Sequence, residues 1–185
     1  MDLISSRLLF RPMEERDRRF MRRFLSDGEL TRWLPVDYPC PMEQVHLHVD
    51  RRLEHWDQHG FGTFVLEERD GEGPVGYCGL EHVTETPFID LRYGLVQSAQ
   101  GRGLAFEAAM RVVTYGFQGL QLPRIFGAAM PENKASVAVL TKVGMLPDKR
   151  FDCYGSNLFT ASVDRVAFDL KVQPVTRTGI CGTHG

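Results

Sequence analysis

The residues best suited to chemistry by type and spacing are Gln100-Gly101-Arg102-Gly103-Leu104-Ala105. Ahead of them Ile89, Leu91, Tyr93 and Leu95 alternate with Asp90, Arg92 and Gly94, the period of a pleated strand. Behind them Phe106, Ala109, Met110, Val113 and Phe117 recur at helical spacing. A glycine loop that opens a helix leaves backbone N–H groups without intrahelical partners, and the helix dipole adds positive potential at that end. Such a row of donors suits a phosphate. Two common nucleotide loops are excluded: a dinucleotide fingerprint needs a third glycine where Phe106 stands, and a Walker A loop needs a Gly-Lys-Ser/Thr tripeptide that the chain lacks.

A second group of ligand-capable side chains is His48, Arg52, His55 and His59, which share one stripe of a helix-periodic segment beside its apolar face. His55 and His59 stand four residues apart, as two ligands of one zinc ion can. No Glu takes the HExxH position and no third ligand matches, so no metal is expected. Cys40, Cys78, Cys153 and Cys181 are scattered without a CxxC pair, which predicts free thiols and a cytoplasmic setting.

The elements that must carry these groups follow from periodicity and turn chemistry. Residues 7–11 read as a short strand ended by Pro12, and Glu14, Glu15 and Asp17 favour a helix start ahead of the apolar stripe Phe20, Met21, Phe24 and Leu25. A Pro-rich connection leads to a helix near residues 42–58, with Val45, Val49, Leu53 and Trp56 on one face and Gly60 as its stop. Strands at 61–67 and 75–83 flank the turn-rich Asp70–Pro74 as a hairpin. A strand at 88–96, the glycine loop, a helix near 104–118 and a strand at 124–130 form a crossover unit, which implies parallel pairing of its two strands. The loop then sits at the carboxyl end of the first strand, where such units bind ligands. Asn133 begins a further helix with Gly144 as its left-handed cap, and Val166, Phe168, Leu170 and Val172 alternate as a final half-buried strand.

At 185 residues and 43% hydrophobic, the chain suits one well-buried domain, expected over residues 1–173, with 174–185 a disordered tail. The net charge of −2 gives no electrostatic case for a nucleic-acid partner, and the cluster Arg16, Arg18, Arg19, Arg22 and Arg23 interleaves with acids as a solvated helix face. No apolar run approaches the ~18 residues of a membrane span. The expected class is a single mixed α/β domain, its sheet mostly antiparallel with one parallel strand pair, flanked by helices.

With these elements in place, the chain resembles the GNAT superfamily of acyl-CoA-dependent N-acyltransferases, and its RimJ/RimL-type branch in particular. Ser6-Arg7-Leu8-Leu9-Phe10-Arg11-Pro12 resembles that branch's ERLxLRP start, and Val75-Gly76-Tyr77-Cys78-Gly79-Leu80 its vGxxgL strand. Gln100–Ala105 matches the family's pyrophosphate loop, Asn133-Lys134-Ala135-Ser136 its NxxS, and Leu140–Met145 its LeKxGF with Met145 in place of the aromatic. The resemblance implies acetyl-CoA as donor, with Gln100, Gly101, Arg102, Gly103, Leu104 and Ala105 holding the pyrophosphate. Leu95 and Val96 would pair with the pantetheine arm in the gap of a splayed strand pair, and Asn133 and Ser136 would contact it from the other side.

Direct transfer from a thioester to an amine requires a neutral amine, a donor for the developing oxyanion, a proton for the leaving thiolate, and the two reactants held together. The N–H of Val96 or a neighbour is the expected oxyanion donor. Asp90 corresponds by resemblance to a position often filled by Glu, and with Glu81 is a candidate base. Many family members carry a tyrosine where Leu140 stands, so Ser136 is the nearest matched hydroxyl for the thiolate. The stripe bearing Arg52 and His55 would line the acceptor cleft and suit an anionic or carboxylate-bearing amine, either a protein N-terminus or a small molecule. A homodimer is compatible with the sequence. A non-catalytic acyl-CoA-binding module on the same fold, or a module for another phosphate ligand, is the alternative.

Overall fold

The computed structural model describes residues 3–34, 40–155 and 157–172. The described strands are β1 (Leu3–Ile4), β2 (Leu8–Pro12), β3 (Thr63–Glu68), β4 (Pro74–His82), β5 (Ile89–Leu95), β6 (Arg124–Ala129), β7 (Leu146–Pro147) and β8 (Phe159–Asp164). The helices are α1 (Arg18–Leu25), the single turn α2 (Gly28–Thr31), α3 (Met42–His59), α4 (Leu104–Gln118), α5 (Lys134–Val143) and α6 (Arg165–Val172). The strands form one sheet in the order β1-β2-β3-β4-β5-β6-β8-β7, antiparallel except for the β5–β6 pair.

Strand alternation divides the core between the two sheet faces. Phe64, Leu66, Cys78, Leu80, Leu91 and Leu95 pack with Leu104, Ala108, Val112 and Phe117 of α4 and Leu140 of α5. Val65 and Tyr77 point the other way, onto Phe20, Met21 and Phe24 of α1 and Val45 and Val49 of α3. Close strand contact explains one glycine of the β4 motif: a Cβ at Gly79 would lie 2.3 Å from Thr63 Cα. Gly60 closes α3 at φ +69° and Gly144 closes α5 at φ +109°, both in the left-handed region.

One difference from the sequence expectation stands out near the C-terminal end of the described residues. The last strand is Phe159–Asp164, and residues 165–172 are helix α6. Phe168 is buried, while Val166 and Leu170 are 69% and 74% exposed, as one inward residue of a short helix allows and a half-buried strand does not. Asp164 Oδ1 accepts the Ala167 N–H and caps that helix. The expected tail at 174–185 lies outside the described residues.

Candidate active site

The glycine loop has the geometry of an anion cradle. Gly101 and Gly103 adopt φ +72° and +78°, a region that favours glycine, and Gly103 caps the start of α4. The first helical bond runs from Glu107 N–H to Gly103 C=O, so the amides of residues 104–106 have no intrahelical partner, and those of 101–103 meet no acceptor among the described residues. A Cβ at Gly103 would meet only Arg7 Nη2, at 3.7 Å. Arg7 braces the loop, donating to Arg102 C=O at 2.9 Å while paired to Glu107. The Arg102 side chain is itself paired with Glu68, which leaves the backbone as the loop's free donor set.

Beside the loop, β5 and β6 touch at one register pair, Asp90 with Phe126. Val96 N–H donates to Val75 C=O of β4 at 2.9 Å. Alternation along an antiparallel ladder therefore turns the amides of Tyr93 and Leu95 toward β6, past the point where the pair has opened. Of the expected oxyanion donor, Val96 or a neighbour, this leaves the neighbour Leu95. Val96 N–H is taken by Val75 and so is not free for an oxyanion, and its C=O already accepts from Ala99 N–H. Gln100 is likewise occupied, its side chain donating to Leu95 C=O at 2.9 Å. The open edge consists of Tyr93 and Leu95.

Across that edge, Asn133 Oδ1 accepts the Ser136 N–H and caps α5, which leaves its side-chain N–H groups for another partner. Ser136 Oγ lies 2.7 Å from Tyr93 Oη, which also donates to Ser136 C=O at 3.1 Å. Burial, only partly offset by the Ser136 bond, pushes the Tyr93 phenol well above its ordinary range. Leu140 is fully buried in the core.

On the α3 face lies a buried ionic cluster. Glu81 and Asp90 face each other across β4 and β5 and are 7% and 4% exposed. Arg52 Nε stands 3.3 Å from Glu81 Oε1, and Arg92 Nη1 3.4 Å from Oε2, while the Thr63 hydroxyl donates to Oε1. Burial raises the Glu81 carboxyl, but the two guanidiniums and Thr63 outweigh it and hold it below the ordinary carboxylate range. Asp90 goes the other way: burial pushes it up to about 6, against the pull of Arg92 and of a bond from Tyr154. Its Oδ2 accepts from Arg92 Nε at 3.2 Å and from Tyr154 Oη at 2.8 Å, and its Oδ1 has no partner. Among the described residues, two other buried side-chain polar atoms lack a hydrogen bond, His48 Nε2 and Arg52 Nε, the latter misaligned with Glu81. Both belong to the same cluster. Burial and the adjacent Arg52 push His48 down to about 3, so its ring is neutral.

Of the two residues expected to meet the acceptor, Arg52 is buried and His55 is half-buried with both ring nitrogens engaged. Arg52 is 4% exposed and donates to His48 C=O at 2.8 Å besides facing Glu81. His55 Nε2 accepts the His82 N–H at 2.9 Å, so Nδ1 carries the proton and donates to Phe61 C=O at 2.8 Å. One nitrogen each of His55, His59 and His82 lie within 4.8 Å of one another, but with both His55 positions filled only two imidazoles keep a free nitrogen.

Sequence reasoning missed Tyr93, Arg92, Thr63 and Tyr154. Tyr93 is a hydroxyl on the strand edge that opens, a signal already present in the alternation. Tyr154 reaches Asp90 from 64 residues away, and no local pattern announces it.

A family model described as "Acetyltransferase (GNAT) domain" matches residues 7–146. The chain is 29% identical over 156 residues to an uncharacterized N-acetyltransferase, p20, of Bacillus licheniformis, covering 79% of this chain and 85% of that protein. It is 26% identical over 151 residues to the ribosomal protein uS5-alanine N-acetyltransferase of Escherichia coli, covering 77% and 76%. A solved acetyltransferase structure from Agrobacterium tumefaciens superposes with a TM-score of 0.80 at 23% identity, over 88% of this chain and 94% of that one.

Proposed function

Because the chain belongs to the acetyltransferase (GNAT) family, we propose that it transfers the acetyl group of acetyl-CoA directly to a primary amine, either a protein N-terminus or a small-molecule amine. The observation that carries this reading is the meeting of two sets of open backbone groups: the amides of residues 101–106, and the β5 edge at Tyr93 and at the Leu95 N–H, which has parted from β6 while Gln100 takes the Leu95 C=O. The first suits a diphosphate, and the second suits an arm with two amides, which can pair as an added strand.

Asp90 is the base. Burial lifts its carboxyl to about 6, so it is mostly ionised at neutral pH yet basic enough to accept a proton, and Oδ1, buried but without a hydrogen-bond partner, takes it through an intervening water. An α-amine with a pKa of about 8 asks less of that base than a lysine amine at about 10.4. Glu81 is the weaker candidate, since two guanidiniums hold it ionised. As the nitrogen–carbon bond forms, the amine proton passes to Asp90, and the charge growing on the acetyl oxygen faces the N–H of Leu95 or Tyr93. As the carbon–sulfur bond breaks, the thiolate takes a proton from the Tyr93–Ser136 hydroxyl pair, which solvent then replenishes. No cysteine need act as nucleophile, and Cys78 is buried with its thiol pushed well above its ordinary range.

The test is a thiol-release assay with acetyl-CoA and a panel of amines that includes peptides with free N-termini. Amine-dependent release matched by one acetyl per acceptor supports the reading. Tight coenzyme binding with no release on any amine would instead favour a non-catalytic acyl-CoA module.

A further inference from the structure

The carboxylate read above as the base is held by only one of its oxygens, and the residue that holds it comes from a distant loop. Tyr154 lies between β7 and β8, its ring edge-on to Phe151 at 5.3 Å. Its hydroxyl donates to Asp90 Oδ2 at 2.8 Å and accepts from Arg92 Nη2, whose guanidinium carbon stands 5.7 Å from the Tyr154 ring centre. Asp90 Oδ1 is buried and bare. Resting on the reading of Asp90 as the base, we propose that Tyr154 is a positioning residue of the transfer reaction: with Arg92 it fixes Asp90 Oδ2 and so leaves Oδ1 to take the proton of the acceptor amine.

The surroundings of Asp90 make the proposal testable through pH. Arg92 and Tyr93 share its strand, Glu81 stands opposite on β4, and Cys153 and Tyr154 come from the loop, while Arg52 and His48 approach through Glu81. Glu81 is held low and His48 is driven down to about 3, whereas burial lifts Tyr93, Tyr154 and Cys153. His55 also faces Glu81 and is lowered by burial, while Asp90 is the carboxyl around this cluster that burial lifts to about 6, so the Asp90→Asn profile identifies which group owns the limb. The Tyr154 bond favours the charged form of Asp90. Loss of the hydroxyl must therefore raise the carboxyl pKa and move the acid limb of turnover upward.

The experiment compares Tyr154→Phe, Asp90→Asn and the unsubstituted protein by kcat against pH at saturating acetyl-CoA and amine. In parallel, the Asp90 carboxyl carbon is titrated by NMR, which needs no turnover. Tyr154→Phe should shift both the limb and the NMR midpoint upward by about half a pH unit or more, lower the plateau, and leave the KM for acetyl-CoA unchanged. A limb and midpoint that stay in place in Tyr154→Phe overturn the proposal, even if stability or the plateau falls. Asp90→Asn separates the two layers. Loss of the limb there, with an unmoved Tyr154→Phe, removes Tyr154 alone, whereas a retained limb in Asp90→Asn removes the base assignment beneath it.

Discussion

Tyr93 Oη lies 2.7 Å from Ser136 Oγ, so a hydroxyl from the β5 edge meets one from the first turn of α5 across the mouth of the parted strands. Neither hydroxyl is spare in the resting fold, because each is the other's partner. A thiolate arriving there can receive the Ser136 proton while Tyr93 donates in its place, which makes the pair a two-step relay.

Tyr93→Phe and Ser136→Ala should each lower kcat, by about 10-fold or more, with the KM for acetyl-CoA little changed. The double variant should lose no more than the worse single one, since the two act as one unit. Steady-state kinetics of the three variants checks this, and additive losses would mean that the hydroxyls act separately.

Gly103→Ala tests the amide cradle. At φ +78° an alanine costs about 1–2 kcal/mol, although a Cβ there would touch only Arg7 Nη2. The strain should turn the amides at the start of α4 out of line. The KM for acetyl-CoA should rise by roughly 10-fold, equivalent to about 1.4 kcal/mol, with kcat nearly unchanged. An unchanged KM would remove the loop from coenzyme binding.

Asp90→Asn should cost about 100-fold or more in kcat and at the same time stabilise the fold near neutral pH. The sign follows from linkage. The folded carboxyl titrates at about 6 against an ordinary 3.8, so between those values the folded state binds more protons, and stability falls as pH rises through that window. Asparagine has no such penalty, and its advantage should grow from pH 4 to 6 and then level off, at no more than about 3 kcal/mol. Denaturant unfolding across this range is the measurement. A variant less stable than the parent at pH 7 would contradict it.

Glu81→Gln should behave in the opposite way. It strands Arg52 and Arg92 beside a neutral amide, and removing one partner of a buried pair costs about 3–5 kcal/mol. Among molecules that remain folded, the acid limb should persist, because Asp90 is intact, but move to lower pH, because the Glu81 charge that helps raise Asp90 is gone. Thermal unfolding and the pH profile together decide between this structural role and the base role that the sequence also allowed.

Much of the scaffold was legible because helix periodicity and glycine punctuation are local. The α4 and α5 starts, Gly60 and Gly144 all fall where the pattern puts them. Alternation misled at 165–172, since Val166, Phe168 and Leu170 fit a strand by spacing, while the signal for a helix, Asp164 as its cap, lies one residue before it. In the site, the loop was readable but the ownership of backbone donors was not. Whether Val96 or Leu95 faces the gap depends on the register with Val75, which a single strand does not reveal. Arg52 was misplaced for a related reason: it shows its charge in the sequence, but its burial against Glu81 is a property of the packed fold.

The most direct measurement is a backbone-amide NMR titration of the protein with acetyl-CoA. The amides of residues 101–106, Tyr93 and Leu95 should shift together and saturate with one coenzyme per chain, while that of Val96, held by Val75, moves little. Saturating coenzyme that leaves the loop amides unmoved, or that shifts a different surface, would contradict the account at its root.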